Sequence, residues 1–504
     1  MKKSIAIVVF FTLLSKIIGF GRDITLSFFY GASNVSDAYI ISYTVPGIIF
    51  PFLGAAIASN YIPIYSKIEK RNSINEANIF TNNMISVFLI LCTILILLGL
   101  VFTPTLVKLL AFGFDNETLS LAVSFTRISM FGIYISVLIH IFASYLQIKN
   151  NFLIPAIMGI PFNFVIVLSI FLSTKIDLIL LPFGYFLAFF AQLLLLIPFV
   201  KKEKFKFKFI INLQDRYLKR FMYISIPVFL GISVNEINVL IDRTIASQVT
   251  VGGISALSYA SRLNLFIQGI FVLSLTTVIF PTISKMVAND DMSGLKGILS
   301  KTISSVNLLI FPMTFAVVVL SKPIISIFYG HGVFNSNSIQ LTAGALLFYS
   351  IGLIGFSLRE VLARVFYSMQ DTKTPMVNAS IALVINIVLN IILSKYMGIN
   401  GLALATSIAA IFATLLLFIS LRKKIGRFGI KNILNSSIKI LFASLIMGFV
   451  IKFSFIYFNN SYVEILALFV SSLIGALIYI LIIYFMKIDE IDFMLVAIKN
   501  KIKR

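Results

Sequence analysis

The chain has 504 residues, of which 59% are hydrophobic and only 12% are charged. Soluble domains are about 45–50% apolar and about 25% charged, so this composition excludes a soluble globular protein. The formal net charge of +22 at pH 7 raises the question of a nucleic-acid partner. The lysines and arginines lie in short gaps between apolar runs, as in membrane-protein loops, so we expect no nucleic acid.

Apolar runs long enough to cross a bilayer recur along the whole sequence. A spanning helix needs about 20 mostly apolar residues, and continuous rather than alternating runs favour helices over a β-barrel. The basic, apolar start imitates a signal peptide but lacks a small-residue cleavage site, so it is predicted to remain as the first span. The fourteen predicted spans are 5–29, 38–64, 79–110, 120–146, 153–173, 177–200, 219–248, 256–287, 298–321, 338–368, 376–395, 400–421, 432–457 and 462–486.

Positive charge alternates between the gaps that separate these spans. Basic gaps such as "SKIEKR" at 66–71 and "LRKKIGRFGIK" at 421–431 alternate with gaps such as "YGASNVSD" at 30–37. Because basic loops stay on the cytoplasmic side, both termini are predicted to be cytoplasmic. The stretch "KKEKFKFKF" at 201–209 is predicted to be a plain cytoplasmic loop. A surface-lying segment that touches anionic lipid heads is the alternative.

Short motifs recur at an offset of about 220 residues, which indicates an internal duplication. "IPIYSK" ends at Lys67 and "FPTISK" ends at Lys285, an offset of 285 − 67 = 218. Pro104 and Pro323 differ by 219, and Pro155 and Pro375 by 220. The predicted fold is therefore all-α and polytopic, with two parallel six-helix repeats around a central cavity plus two extra C-terminal helices. The predicted boundaries are 1–215 and 216–430 for the lobes, and 431–504 for the last two helices and a basic cytoplasmic tail.

Ionisable residues interrupt several predicted spans, although a charge at the bilayer centre costs at least about 2.5–3.5 kcal/mol. Thr12, Lys16, Gly19 and Asp23 follow helical spacing, so they share one face of the first span. A similar stripe occurs in the seventh span, the first span of the second copy. We predict that these faces line a wet chamber between the lobes. The candidate substrate-binding residues are Lys16, Arg22, Asp23, Asp37, Asp242, Arg243 and Arg262.

The balance of these charges favours an anionic ligand such as a phosphate or pyrophosphate, because arginine offers two parallel donors to phosphate oxygens. Asp23 and Asp37 are candidates to hold the arginines when the site is empty. Salt bridges between helices, with no ligand, are the alternative. Adjacent residues of a helix point about 100° apart, so Arg22–Asp23 and Asp242–Arg243 are expected to bridge to other helices rather than internally. Glu236 is a candidate site for a coupling ion, with a buried pair to Arg243 as the alternative.

Three stretches resemble the MurJ/MviN family, the lipid II flippases of the multidrug/oligosaccharidyl-lipid/polysaccharide exporter superfamily. They are "SKIIGFGRDITLSFFYGASNVSDAYIISYTVPGII" from residue 15, "RLNLFIQGIFVLSLTTVIFPTISK" at 262–285 and "VLARVFYSMQDTKTP" at 361–375. The resemblance implies fourteen spans in a 6+6+2 layout. It also implies alternating-access transfer of an undecaprenyl-pyrophosphate-linked peptidoglycan precursor, lipid II, to the outer leaflet of the bacterial inner membrane. Its cavity positions match Arg22, Asp23, Asp37 and Arg262, with Lys16 where the family usually has arginine.

The second span departs from the family pattern. Where the family has two arginines after the span's first proline, this chain has Phe50 and Pro51 in "PGIIFPFLGAAI". The departure leaves open a flippase for another polyprenyl-linked oligosaccharide, of capsule or O-antigen type. A membrane enzyme would need carboxylate clusters for metal and acid-base chemistry, and Asp290–Asp291 is the sole candidate, so we expect a transporter without covalent catalysis. We expect a monomer whose partners are its substrate and membrane lipids, with no cofactor and with Na⁺ or H⁺ as the candidate coupling ion.

Overall fold

The computed structural model describes residues 2–486, and within that range the chain is helical with no strand. Eighteen α-helices and one π-helical segment, Ile57–Tyr61, follow one another along the chain. The α-helices are α1 Lys2–Tyr30, α2 Asn34–Ala56, α3 Ile62–Arg71, α4 Ile74–Leu110, α5 Asn116–Ser129, α6 Gly132–Ile148, α7 Leu153–Ile157, α8 Gly159–Ser173, α9 Leu180–Lys202, α10 Arg216–Val249, α11 Gly253–Ala288, α12 Met292–Tyr329, α13 Ser336–Ile351, α14 Leu353–Ser368, α15 Lys373–Met397, α16 Ile399–Ile425, α17 Ile430–Asn459 and α18 Glu464–Phe485.

Ten helical stretches of the described chain are long and apolar enough to cross a membrane. The number rises to twelve if two bent pairs each count as one span: α10, bent by 46° between Arg216–Phe229 and Gly231–Val249, and α13 with α14, bent by 45°. The helices α1 and α11, which are outside that number, have 29 and 36 residues. The predicted fold class is confirmed, and the prediction of fourteen spans is compatible with this range.

The chain forms two compact units. The first unit contains the chain up to Ser255 together with Gly332–Phe334, and the second contains Ala256–His331 together with the chain from Asn335 onward. The helix α10 belongs to the first unit, where it packs on α2 and α4. The lobe boundary at residues 215–216 stays a prediction based on the duplication.

In the first unit, α2 runs without a break through Pro46 and Pro51. Each proline lacks an N–H donor, so one carbonyl in the preceding turn loses its helical bond. The helix then widens into the π-helical segment Ile57–Tyr61 before it continues as α3. The two prolines do not divide the span, because Asn34–Arg71 forms one apolar helical stretch of 38 residues.

In the second unit, α12 is the central helix and packs against α13, α14, α17 and α18. One core joins α12 to α14 and α16 through buried side chains such as Leu299, Leu362 and Leu417. A second core joins α12 to α17 and α18 through Leu320, Met447 and Tyr479. The hydroxyl of Tyr479 donates to the carbonyl of Leu308 at 2.7 Å, so its polar end is satisfied inside the second core.

The two units show matching local details at the predicted offset. Asp115 is the N-cap of α5 and Asn335 is the N-cap of α13, an offset of 335 − 115 = 220. Each of these helices stops in mid-span, at Met130 and at Gly352, and a second helix continues the span. These breaks were not predicted, because neither contains a proline.

Gly355 provides a test of helix packing in the second unit. A Cβ at Gly355 on α14 would lie 2.7 Å from the backbone nitrogen of Ile411 on α16. Gly355→Ala should therefore force the two helices apart and lower stability by about 1–3 kcal/mol. The measurement is the apparent thermal midpoint of the detergent-solubilised protein, followed by fluorescence-detected size exclusion.

Gly297→Ala is the matched control, because no atom lies within 4 Å of the added carbon at this exposed position of α12. Alanine there should be neutral or stabilising by about 0.5–1 kcal/mol, since it is a better helix former than glycine. Equal midpoints for the two variants would contradict the close packing of α14 on α16.

Candidate functional site

Arg22 and Asp23 form an ion pair on α1. The Nε and Nη2 atoms of Arg22 donate to the same oxygen of Asp23, at 3.1 Å and 2.8 Å. Both side chains are largely shielded, with relative exposures of 18% and 13%. The expectation that these neighbours would not pair with each other is wrong, because the long arginine side chain curls back along its own helix. That Asp23 holds Arg22 ready for a ligand stays a prediction.

Three tyrosines near this pair were not predicted from the sequence. The charge of Arg22 reaches the hydroxyls of Tyr39 and Tyr43 on α2. The rings of Tyr39 and Tyr43 lie 5.4 Å apart, and Tyr43 stacks on Tyr185 of α9, also at 5.4 Å. The i, i+4 spacing of Tyr39 and Tyr43 was a usable signal, since it places both rings on one helix face.

Phe50 and Pro51, which stand where arginines were expected, lie beside an aromatic cluster. The ring of Phe50 is 5.0 Å from that of Phe189, which in turn lies 5.1 Å from Phe162. Tyr185 packs on the same Phe189 ring at 5.1 Å. The first unit therefore has aromatic packing at the place where the family pattern has two guanidinium groups.

Asp37 is buried, with 1% of its surface exposed, and it binds the chain at the start of α11. One carboxylate oxygen accepts the N–H of Gly252 at 2.9 Å, and the other accepts the N–H of Ser255 at 2.7 Å. These groups lie at the start of α11, so Asp37 of α2 satisfies amides that have no partner within that helix. Gly252 has φ = 77°, and a Cβ there would meet the carbonyl oxygen of Ala32 at 2.4 Å. Only glycine fits this approach.

On α10, Arg243 donates a hydrogen bond from Nη1 to the hydroxyl of Thr44 on α2. Arg243 also acts electrostatically on Glu236, two turns earlier on the same helix. Asp242, next to Arg243, is buried, with 9% of its surface exposed. The pairing of Glu236 with Arg243, which the sequence left open, thus has electrostatic support, while no hydrogen bond between the two is observed.

Lys16 and Arg262 are the remaining candidates. Lys16 is exposed on α1, about two helical turns before Arg22. Arg262 is exposed on α11 and belongs to the second compact unit. Within the first unit, the structure therefore brings together Arg22 with Asp23, and Arg243 with Thr44 of α2. It places Asp37 at the start of α11.

Asp291, one of the two carboxylates considered for enzyme chemistry, caps a helix. Asp291 is the N-cap of α12 and accepts the N–H of Gly294 at 2.8 Å and the hydroxyl of Ser293 at 2.9 Å. The backbone hydrogen bond from Gly294 holds the pKa of Asp291 below its usual range. In the described part of the chain, no group of three or more His, Cys, Asp or Glu side chains is placed to hold a metal.

The sequence profile of the family described as "Lipid II flippase MurJ" matches residues 26–473. The chain belongs to the lipid II flippase MurJ family. It is 30% identical over 471 residues to the lipid II flippase MurJ of Thermosipho africanus, covering 93% of each chain. It is 29% identical over 487 residues to a probable lipid II flippase MurJ of Thermotoga maritima, covering 95% of this chain and 96% of the relative.

Solved structures agree with this assignment to the MurJ family. A lipid II flippase MurJ in an inward closed conformation has a TM-score of 0.84 and 30% identity, covering 96% of this chain and 99% of that one. An inward-facing multidrug resistance transporter of the MATE family has a TM-score of 0.68 at 13% identity, which shows a shared fold only. The resemblance read from the sequence motifs is confirmed.

The contacts of Asp37 yield a test. Asn keeps the shape of Asp but turns an NH₂ donor toward one of the two backbone donors, from Gly252 or Ser255. Asp37→Asn should therefore destabilise the protein by about 1–3 kcal/mol. The readout is the thermal midpoint of the purified protein. Asp115→Asn is the control, because Asp115 is exposed and makes no side-chain capping bond. Identical midpoints for both variants and the parent would refute the capping role.

Proposed function

We propose that this chain transfers lipid II from the inner to the outer leaflet of the bacterial inner membrane by alternating access. The observation that carries the proposal is the family match over residues 26–473, together with a relative structure that covers 96% of the chain. The family description names lipid II as the cargo, and the motif resemblance implies that this lipid carries a pyrophosphate. A partly buried arginine with two donors is suited to that group.

Arg22 provides the central contact in this proposal. In the structure, Asp23 accepts two N–H donors of Arg22, at 3.1 Å and 2.8 Å, which avoids an unpaired charge among apolar helices. An arriving pyrophosphate carries more negative charge than one carboxylate and competes for the same N–H groups. The hydroxyls of Tyr39 and Tyr43, which lie within reach of the Arg22 charge, add neutral donors for its remaining oxygens.

The other candidate residues have supporting roles. Lys16 offers an exposed point charge on the same helix as Arg22, and Arg262, Arg243 and Asp242 are the second copy's contribution. Asp37 has a positioning role, because both of its oxygens bind the amides at the start of α11. Glu236 is the proposed coupling-ion residue, for Na⁺ or H⁺.

Topology and assembly complete the proposal. Two lobes, 1–215 and 216–430, enclose the cavity, and 431–504 adds two helices and the basic tail. Both termini are cytoplasmic, as the alternating basic gaps favour. The chain acts as a monomer, carries its cargo without covalent chemistry, and contacts the lipid-linked saccharide and the surrounding membrane lipids.

One observation favours a second cargo. Phe50 packs on Phe189 at 5.0 Å where the family pattern supplies a cation, so this part of the site is aromatic and uncharged. A flippase for another polyprenyl-linked oligosaccharide would fit such a surface, because aromatic faces pack well on sugar rings.

Complementation tests the leading function. Cells depleted of their own lipid II flippase should survive when they express this chain. Arg22→Ala and Arg262→Ala should each abolish rescue, because the loss of a bidentate phosphate contact costs about 1.5–3 kcal/mol in binding. The measurements are survival after depletion and the amount of each variant in the membrane.

Arg127→Ala is the matched control for these two variants. Arg127 is also an arginine on a predicted span, but it is exposed at the C-terminal turn of α5. This variant should rescue fully. Full rescue by both Arg22→Ala and Arg262→Ala at normal membrane levels would discard the cavity assignment.

A second pair of variants separates the two cargoes. If lipid II is the cargo, the Phe50→Arg, Pro51→Arg variant should rescue no better than the parent, because the native site is already sufficient and the Phe50–Phe189 contact is lost. Phe50→Leu with Pro51→Leu controls for that loss of packing. A gain of rescue confined to the arginine variant would instead favour the other polyprenyl-linked saccharide.

A further inference from the structure

The connecting segment between α9 and α10 (residues 203–215) is fixed in place, although it contains no helix or strand. It leaves α9 through Lys204, which has φ = 57° in the left-handed region. The ring of Phe205 is then buried against Tyr145 at 5.3 Å and Phe142 at 6.0 Å, both on α6. A loop of ordinary mobility would not bury its first aromatic residue in this way.

Polar side chains of α4 bind the backbone of the connecting segment. Asn82 donates to the carbonyl of Lys206 at 3.1 Å and accepts the N–H of Lys208 at 3.2 Å. Ser86 accepts the N–H of Ile210 at 3.1 Å. Asn83 binds the next even-numbered residue. It donates to the carbonyl of Asn212 at 2.8 Å and accepts the N–H of Asn212 at 2.7 Å.

The residues of the connecting segment whose backbone binds α4 are all even-numbered. A period of two is the repeat of an extended chain, in which successive side chains point to opposite sides. The segment therefore has an apolar row and a cationic row. The apolar row is exposed: Phe207 by 51%, Phe209 by 63%, Ile211 by 50% and Leu213 by 65%. The cationic row, Lys204, Lys206 and Lys208, is exposed as well.

The depth of the connecting segment in the bilayer can be inferred from where the apolar part of α4 begins. That helix has 37 residues, about 55 Å, whereas the hydrocarbon core of a bilayer is about 30 Å thick. Its first turns, "INEANIFTNNMIS", are partly polar, and the continuous apolar run begins at Val87, directly after Ser86. Asn82, Asn83 and Ser86 thus hold the connecting segment at the boundary between headgroups and acyl chains.

A further cluster of cations adjoins the segment. The positive charges of Arg71, Arg216 and Arg220 are close enough to repel that of Lys67. Arg216 is the first residue of α10 and follows the connecting segment directly. A fixed row of four exposed apolar side chains beside so many cations is costly in water and favourable at an anionic bilayer surface.

We propose that the connecting segment is a membrane-surface element that binds anionic phospholipid headgroups through Lys204, Lys206 and Lys208, while its apolar row enters the acyl boundary. The ligand is the bilayer's own anionic lipid, and the proposal is independent of the cargo. Each lysine near such a surface increases binding about fivefold, and the fixed backbone has already lost the entropy that a mobile loop would lose on binding.

The chain contains no tryptophan, so Phe209→Trp introduces a single fluorescent reporter into the apolar row. The full chain is reconstituted into vesicles with equal amounts of phosphatidylglycerol and phosphatidylcholine, and one of the two lipids at a time carries bromine on its acyl chains. Brominated phosphatidylglycerol should quench the reporter as if it were enriched about fivefold or more around the segment. Acrylamide in the water should quench it weakly.

The triple variant Lys204→Gln, Lys206→Gln, Lys208→Gln, on the same reporter, should reduce this preference to near unity while lipid quenching continues. The matched control Lys423→Gln, Arg427→Gln, Lys431→Gln removes three exposed cations from another basic gap and should leave the preference unchanged.

Three results would overturn the proposal. They are strong acrylamide quenching without lipid quenching, equal quenching by the two brominated lipids in the parent reporter, and an undiminished preference in the triple variant. Ile211→Trp, at another half-exposed position of the same row, serves as the reporter if Phe209→Trp does not fold.

Discussion

A charged side chain among membrane-spanning helices has to find its partner within the protein, because the hydrocarbon offers none. This constraint explains the contacts of the ionisable residues in the first compact unit. Arg22 pairs with its neighbour Asp23, Arg243 donates to Thr44, and Asp37 accepts two backbone amides. Each contact meets the demand for a partner, and each differs in how readily it can be exchanged for a ligand.

The exchange is easiest at Arg22. Its partner is a single carboxylate on the same helix, so the pair can open without moving a second helix. Asp37 is the opposite case. Its two bonds join α2 to the start of α11, and their rupture would leave a carboxylate and two amides without partners at once. This difference supports the proposed roles, in which Arg22 meets the cargo and Asp37 maintains the frame around it.

The helices were largely predictable, because apolar length determines them. The predicted span 462–486 corresponds to α18, Glu464–Phe485, and the predicted span 79–110 to α4, Ile74–Leu110. The start of α4, residues 74–78, was missed because it contains the polar residues Asn75, Glu76 and Asn78. The mid-span breaks after Ser129 and Ile351 were missed for a different reason, since hydropathy does not report a change of helix direction.

The site was only partly predictable. Spacing correctly singled out Arg22 and Asp23 as polar residues of an apolar helix, but helical geometry alone misjudged their pairing, since it ignores the reach of the arginine side chain. The partners of Asp37 lie 215 and 218 residues away in sequence, and no local pattern indicates them. The aromatic contacts of Phe50 were likewise not predictable from the sequence, although the sequence did show that two expected cations were missing.

The side chains of Asn82, Asn83 and Ser86 have a consequence for how this protein can vary in evolution. Connections between helices usually tolerate gain or loss of a residue. Here a deletion of one residue ahead of Phe207 would shift the register by one, so that lysines would point where phenylalanines now lie. Insertions and deletions in this stretch should therefore change its length by two residues or not occur, even though it contains no regular secondary structure.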